Sequence, residues 1–177
     1  MFCARMFVKV LIELPLHPLV SLTAKLSRQQ IGVRNAGTTE GKKIKGRKRH
    51  ISVDVLGLLI CVIVHSAATS DRAGAKLLIT KALDICPTLK LFWADGGYSG
   101  KPLYDWVKST FQRVLEIIKR PTGEFKILQW RWIVERTFGW FNRYRRLSKD
   151  YEIKPENSET WIKLAMINIM LHRLEPG

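Results

Sequence analysis

Hydrophobic and polar positions fall into a clear succession of patterns from residue 49 onward. Arg49 to Val55 and Leu58 to His65 are two β-branched runs joined by a tight Leu56-Gly57 connection, which predicts an antiparallel hairpin. The second run is apolar almost throughout and predicts an inner strand. In DRAGAKLLITKALDIC, which opens at Asp71, the residues Ala75, Leu78, Ile79, Ala82 and Leu83 recur at helical spacing until Pro87 stops the pattern. LKLFWADGGYSG reads as a short apolar strand ending in Asp95 and a glycine turn. KPLYDWVKSTF predicts a second helix, Arg113 to Arg120 another strand, and two long helices follow over 128–149 and 158–174. This alternation, after an initial antiparallel pair, predicts an α/β fold: a mixed sheet flanked by helices. There are no internal repeats and no low-complexity linker.

Composition narrows the function classes. The chain has 177 residues, of which 46% are hydrophobic, enough for the core of one ordinary domain. Its 30 Lys and Arg against 15 Asp and Glu leave a net charge of +15, which predicts a polyanionic partner, most simply nucleic acid. The plainer alternative is a soluble basic protein, but the charge is clustered. GKKIKGRKRH places Lys42, Lys43, Lys45, Arg47, Lys48 and Arg49 together with no acid, and Arg143, Arg145, Arg146 and Lys149 form a second group. Cys3, Cys61 and Cys86 are odd in number and widely spaced, which fits a reducing cytosol and not a zinc site or disulfide framework. The apolar start is interrupted by Lys9 and Glu13 and broken by Pro15 and Pro18, which argues against a secretory signal, and no other segment has the length of a membrane span.

Two acids stand out. Asp95 closes an apolar strand and is followed by Gly96-Gly97, which lets the backbone turn away and leaves the carboxylate at the sheet end, where sites gather in such folds. Asp-Gly is also ordinary turn chemistry. On a helix through WRWIVERTFGWFNRYRRL, the residues Arg131, Glu135, Gly139, Asn142 and Arg146 form a polar stripe. Trp130, Ile133, Thr137, Trp140, Phe141 and Tyr144 form the apolar face. An ion pair of Glu135 with Arg131 would be worth only a few tenths of a kcal/mol. Taken together, one carboxylate ending a strand and another on a following helix suit a pair of divalent ions acting on two phosphate-ester oxygens about 4 Å apart. The tryptophans Trp93, Trp140 and Trp161 sit at core spacing and are read as core, whereas Tyr98, just past Asp95, is read as an exposed DNA contact.

WADGGYSG, RWIVERTFGWFNRYRRLSKDYE, GKKIKGRKRHISVDVLGLL and SETWIKLAMINIMLHRL together resemble bacterial insertion-sequence transposases of the DDE class, of the insertion-sequence-five type, related to the insertion-sequence-four superfamily. The resemblance runs from about Gly41 to Leu174. It implies a ribonuclease-H-like fold and Mg2+- or Mn2+-dependent DNA strand cleavage and transfer. Asp95 and Glu135 match the second and third catalytic acids and metal ligands. Arg131 matches the arginine of the signature around the glutamate, Arg143 best matches its downstream basic residue, and Arg136 and Arg146 join them as DNA contacts. The implied partners are transposon ends and target DNA, with at least a dimer acting on paired ends, in the bacterial cytosol.

The resemblance breaks at its start. Family members carry a first catalytic aspartate on the first strand in a block like DSQSVKT, but LTAKLSRQQIGVRNAGTTEGKK here holds no aspartate. Back-translating from Leu22 with permitted codons and dropping two bases yields DSQTVKTTDRGEKRGYDGGKK, the absent block. Residues 1–40 are therefore read as an out-of-frame, poorly structured segment and 41–177 as the catalytic domain. The frames would meet at Lys42-Lys43, through a disabling frameshift or ribosomal slippage. The expected consequences are a first strand missing or replaced, an exposed, aggregation-prone edge beside the hairpin unless residues 1–40 substitute for it, and little or no strand transfer by this chain alone. The alternative is a noncatalytic basic nucleic-acid-binding protein.

Overall fold

The computed structural model describes residues 19–28, 37–38, 45–118 and 131–174, with backbone alone for 19–28, 37–38, 45 and 131. Its strands are β1 (Leu19–Arg28), β2 (Gly37–Thr38), β3 (Lys45–Val53), β4 (Leu59–Ser66), β5 (Leu91–Ala94) and β6 (Val114–Ile117). Its helices are α1 (Asp71–Ile85), α2 (Lys101–Phe111), α3 (Arg131–Phe141) and α4 (Pro155–Leu174). Single turns of 3-10 helix occur at Gly96–Tyr98 and Arg145–Leu147.

The first strand is present. β1 is central, antiparallel to β3 from Ser21 opposite Val53 to Arg28 opposite Gly46, and parallel to β5, with Leu22 beside Ala94. The bare edge expected next to the hairpin is thus covered. Residues 1–40 thus supply a strand after all: Val20, Leu22, Ala24 and Leu26 alternate with Ser21, Thr23, Lys25 and Ser27, the two-residue period that pairing in a sheet requires. β4 pairs antiparallel with β3, and β6 pairs parallel with β5, completing a mixed sheet.

The β3–β4 hairpin turns at Asp54–Leu58, where Asp54 accepts hydrogen bonds from the Leu56 and Leu58 amides. Gly57 takes φ +81°, a left-handed conformation that glycine adopts at no steric cost. A side chain there would also reach 2.9 Å from Thr137 Oγ1. Helix α1 begins where Ser70 accepts from the Ala73 amide, a standard N-cap.

The pleat sorts β3 between two cores. One face carries α1 and α2 over Cys61, Phe92 and Leu115; the other carries α3 and α4 over Ile51, Val53, Val62 and Val64. Trp93 is buried as expected, and its indole donates to Glu116. Trp161, expected in the core, is 39% exposed beneath the Arg146 guanidinium. Among the described residues no helix is long and apolar enough to cross a membrane.

Helix α3 is shorter than the 128–149 span read from periodicity. It ends at Phe141, and tight turns carry the chain through Arg143 and Tyr144 to Leu147, which enters the core. The cause lies on β3. Buried Arg47 donates to the carbonyls of Glu152 (3.0 Å) and Ile153 (2.6 Å), and buried Arg49 donates to those of Leu147 (2.7 Å) and Lys149 (3.3 Å). These carbonyls can be reached only if the segment leaves the helix and lies across the sheet.

Candidate functional site

Asp95 follows the last residue of β5 and caps the 3-10 turn, its Oδ1 accepting from the Gly97 amide at 3.0 Å. Gly96 has nothing within 4 Å of where a side chain would begin, so this side of the turn is open. A Cβ on Gly97 would lie 3.1 Å from Asp95 Oδ1 and 3.4 Å from Asp71 Oδ2, so two carboxylates flank the turn. Asp71 was not singled out from the sequence; its only signal there was its place as the first residue of a helix. Its Oδ1 is held by Lys48 Nζ at 2.8 Å, and Lys48 also donates to the Thr69 carbonyl.

Beneath this turn lies a buried polar cluster. Tyr98, expected to be exposed, is 1% exposed, and its hydroxyl meets His50 Nδ1 at 2.8 Å. The 3-10 turn rotates the ring inward, where it stacks edge-on to His50. His50 packs on His65, and a Cβ on Gly74 would come within 2.6 Å of both Nε2 atoms. Burial, then the neighbouring His65, pushes the His50 imidazole down to about 3; Lys48 acts the same way and Asp71 opposes. Burial likewise lowers His65. Burial, then Asp95 and Asp71, pushes the Tyr98 phenol well above its ordinary value.

The basic run expected to line up on phosphates is divided by the strand. Arg47 and Arg49 are corrected to internal anchors: both point into the α3–α4 side, and Arg47 also meets buried Asp150. Lys48 points to the other side and is engaged with Asp71. Lys45 is placed by its backbone in β3, and Lys42 and Lys43 lie outside the described residues.

Glu135 is exposed on α3, whose other side buries Ile133, Val134, Thr137, Phe138 and Phe141. Val134 and Phe138 were missing from the apolar face drawn from the sequence. Helix α3 packs against β1 and β3. The strand β1 therefore adjoins both the β5 end that carries Asp95 and the helix that carries Glu135. Arg131 is placed by backbone alone, Arg143 is exposed, and Arg146 pairs with Glu152 at 2.9 Å. Arg136 donates to the Leu56 carbonyl and lies over Trp132 and Trp140.

Asp95 and Glu135 offer the oxygen donors that hard divalent ions take. Yet β1, LVSLTAKLSR, contains no acid, and among the described residues no three His, Cys, Asp or Glu side chains form a group that could hold a metal ion.

A family model described as a transposase DDE domain matches residues 24–170. The chain belongs to that family. No curated relative matches the sequence. Among solved structures, the DDE domain is similar to the catalytic domain of Mos1 mariner transposase (TM-score 0.54, 12% identity, 92% of this chain and 76% of that one). It is also similar to a chain of the simian T-cell lymphotropic virus intasome bound to the PP2A regulatory subunit B56 gamma (TM-score 0.55, 14% identity, 88% of this chain). A third match is the Mos1 paired-end complex with Mn (TM-score 0.53, 10% identity, 93% of this chain). The chain spans 49% of the intasome chain and 52% of the paired-end one. At these identities the likeness is one of fold, and the fold of the DDE domain is ribonuclease-H-like.

Proposed function

We propose that this DDE domain is the catalytic part of an insertion-sequence transposase of the insertion-sequence-five type, and that the chain alone does not cut DNA. The observation that carries the reading is the register of β1 on β5. Leu22 lies beside Ala94, one residue before Asp95, on a strand that contains no acid. Asp95 and Glu135 remain as two of the three acids the resemblance implies. A divalent ion would supply Lewis-acid activation of phosphate-ester oxygens in an intact site. Two carboxylates on separate elements do not make that site, so no cleavage step is assigned to this chain.

The same register supports the frame reading. With a Leu22 codon that ends in G, dropping the two bases before that G would create an aspartate codon from it and the first two bases of the Thr23 codon. An acid would then stand at the β1 position next to the Ala94–Asp95 step. DNA is the proposed partner, held as a complex of at least two copies on paired ends, in the bacterial cytosol. Lys42, Lys43, Lys45, Arg131, Arg136, Arg143 and Arg146 remain as its contacts; Arg47, Arg49 and Tyr98, which are buried, and Lys48, which is held by Asp71, do not. A second reading, a noncatalytic nucleic-acid binder with structural acids, is favoured by the capping bond that Asp95 makes to Gly97.

The gene's DNA across codons 22–43 tests the frame reading. The account expects a second frame encoding the acidic block, and a sequence incompatible with that frame overturns it. Asp95→Ala and Glu135→Ala in a frame-restored chain separate the two functional readings. Loss of Mg2+- or Mn2+-dependent nicking supports the transposase, and unchanged nicking supports structural acids.

A further inference from the structure

The outer surface of α3 and the end of α4 carry an arrangement that the acids do not need. Arg136 lies over the ring of Trp132 at 4.3 Å and over Trp140 at 4.9 Å, and Arg173 lies over Trp140 at 4.4 Å. Aromatic and guanidinium planes therefore alternate as Trp132, Arg136, Trp140, Arg173. Arg136 is fixed by its bond to the Leu56 carbonyl (2.8 Å), and Gly57 leaves the room: a Cβ there would come 3.2 Å from both Arg136 Nη2 and Trp140.

This series opens into a cavity of about 420 Å³ whose lining includes Trp140, Arg143, Tyr144, Asn168, His172 and Arg173, and, among the described residues, no carboxylate. Its size falls in the range of small-ligand sites. The Asn168 amide donates to the Tyr144 hydroxyl at 2.9 Å and holds that ring in the wall. The acid whose charge reaches Arg136 and Arg173 is Asp54, which is committed to the hairpin amides. Among the described residues, the positive charge gathered here is thus not neutralised within the lining. Trp132 is 46% exposed, so the outer step is open to solvent.

We propose that this surface binds an unpaired DNA strand, with exposed Trp132 stacking on a base, Trp140 held between two guanidinium planes as its support, and the cavity taking one splayed nucleotide. Aromatic faces accept any base, while Arg143, His172 and Arg173 hold the phosphates. A duplex keeps its base faces covered and can use only the charge. The surface therefore distinguishes single strands and frayed ends from intact duplex. The proposal rests on DNA being the partner, and it adds a site apart from the acids and a preferred strand state.

The test uses the full chain and three fluorescein-labelled probes of one length: oligothymidylate, the same backbone with abasic sites throughout, and a blunt duplex. Oligothymidylate is expected to bind at least tenfold more tightly than the other two, and to quench tryptophan fluorescence where the abasic strand does not. Trp132→Ala and Arg173→Ala change exposed side chains and are checked for folding by circular dichroism. Each is expected to lose about tenfold in oligothymidylate affinity, the worth of one stacked base. Lys163→Ala, which removes an exposed charge from α4 outside the cavity, leaves the preference intact. Equal binding of thymidylate and abasic strands, or no loss in the two variants, means phosphate attraction alone and overturns the proposal. Absence of binding to any of the probes overturns the DNA reading beneath it.

Discussion

Arg47 and Arg49 show how burial converts a DNA-binding motif into a structural one. A guanidinium withdrawn from water needs its donors satisfied, and here carbonyls of the segment after α3 supply the partners. Arg47→Ala removes one member of a buried ion pair and leaves Asp150 with the Glu152 amide but without that guanidinium. Unfolding in urea is expected to show a loss of about 3–5 kcal/mol. Exposed Arg143→Ala should leave stability within about 0.5 kcal/mol. The buried imidazole pair predicts acid sensitivity. His50 is held near 3, below its unfolded value near 6.5, so the folded state binds fewer protons between those values. The stabilising contribution of neutral His50 is complete above about pH 6.5. It is lost as pH falls toward 3, at up to about 1.4 kcal/mol per pH unit. His50→Gln should flatten the slope of urea stability against pH over that window; an unchanged slope would place the acid sensitivity elsewhere.

At the scale of elements, the strand β1 and the turn at Gly57 make the firmest claims. A central strand paired on both sides exchanges its amide hydrogens slowly. The β1 amides around Ser21 and Leu22, where β3 and β5 both pair, are expected to be protected as long as those of β3. Rapid exchange there would remove β1 from the sheet. Gly57→Ala should cost about 1–3 kcal/mol in urea unfolding, because φ is positive and the new methyl meets Thr137. The hairpin, α1, β5, α2 and α4 were legible because local chemistry marks them: a two-residue or helical period, Ser70 as a cap, Pro87 as a stop. The end of α3 was not legible, since its cause is a pair of arginines about a hundred residues earlier in the chain. Tyr98 was misplaced for a related reason. Its inward turn is fixed by His50, a partner that no local pattern announces. Asp95 and Glu135 lie where the sequence pattern put them, after a strand and on the exposed side of a helix, whereas Asp71 needed the fold to bring it beside the Asp95 turn.

For the whole molecule, the sheet order and the two covered faces of the described residues give a ribonuclease-H-like scaffold, and on the proposed reading it is the absence of an acid from β1 that silences it. Fold and activity are separable here, because the central strand needs only an alternating pattern to pair and the reaction needs one acid at one position on it. Folding of the isolated chain is therefore compatible with inactivity. The most direct test is nicking of supercoiled DNA carrying the element's ends, in Mg2+ and in Mn2+, by this chain and by its frame-restored counterpart. The account predicts metal-dependent nicks from the restored protein and none above background from this chain. Equal nicking by the two would contradict the claim that the absent β1 acid silences it, and so would a restored protein that never cuts.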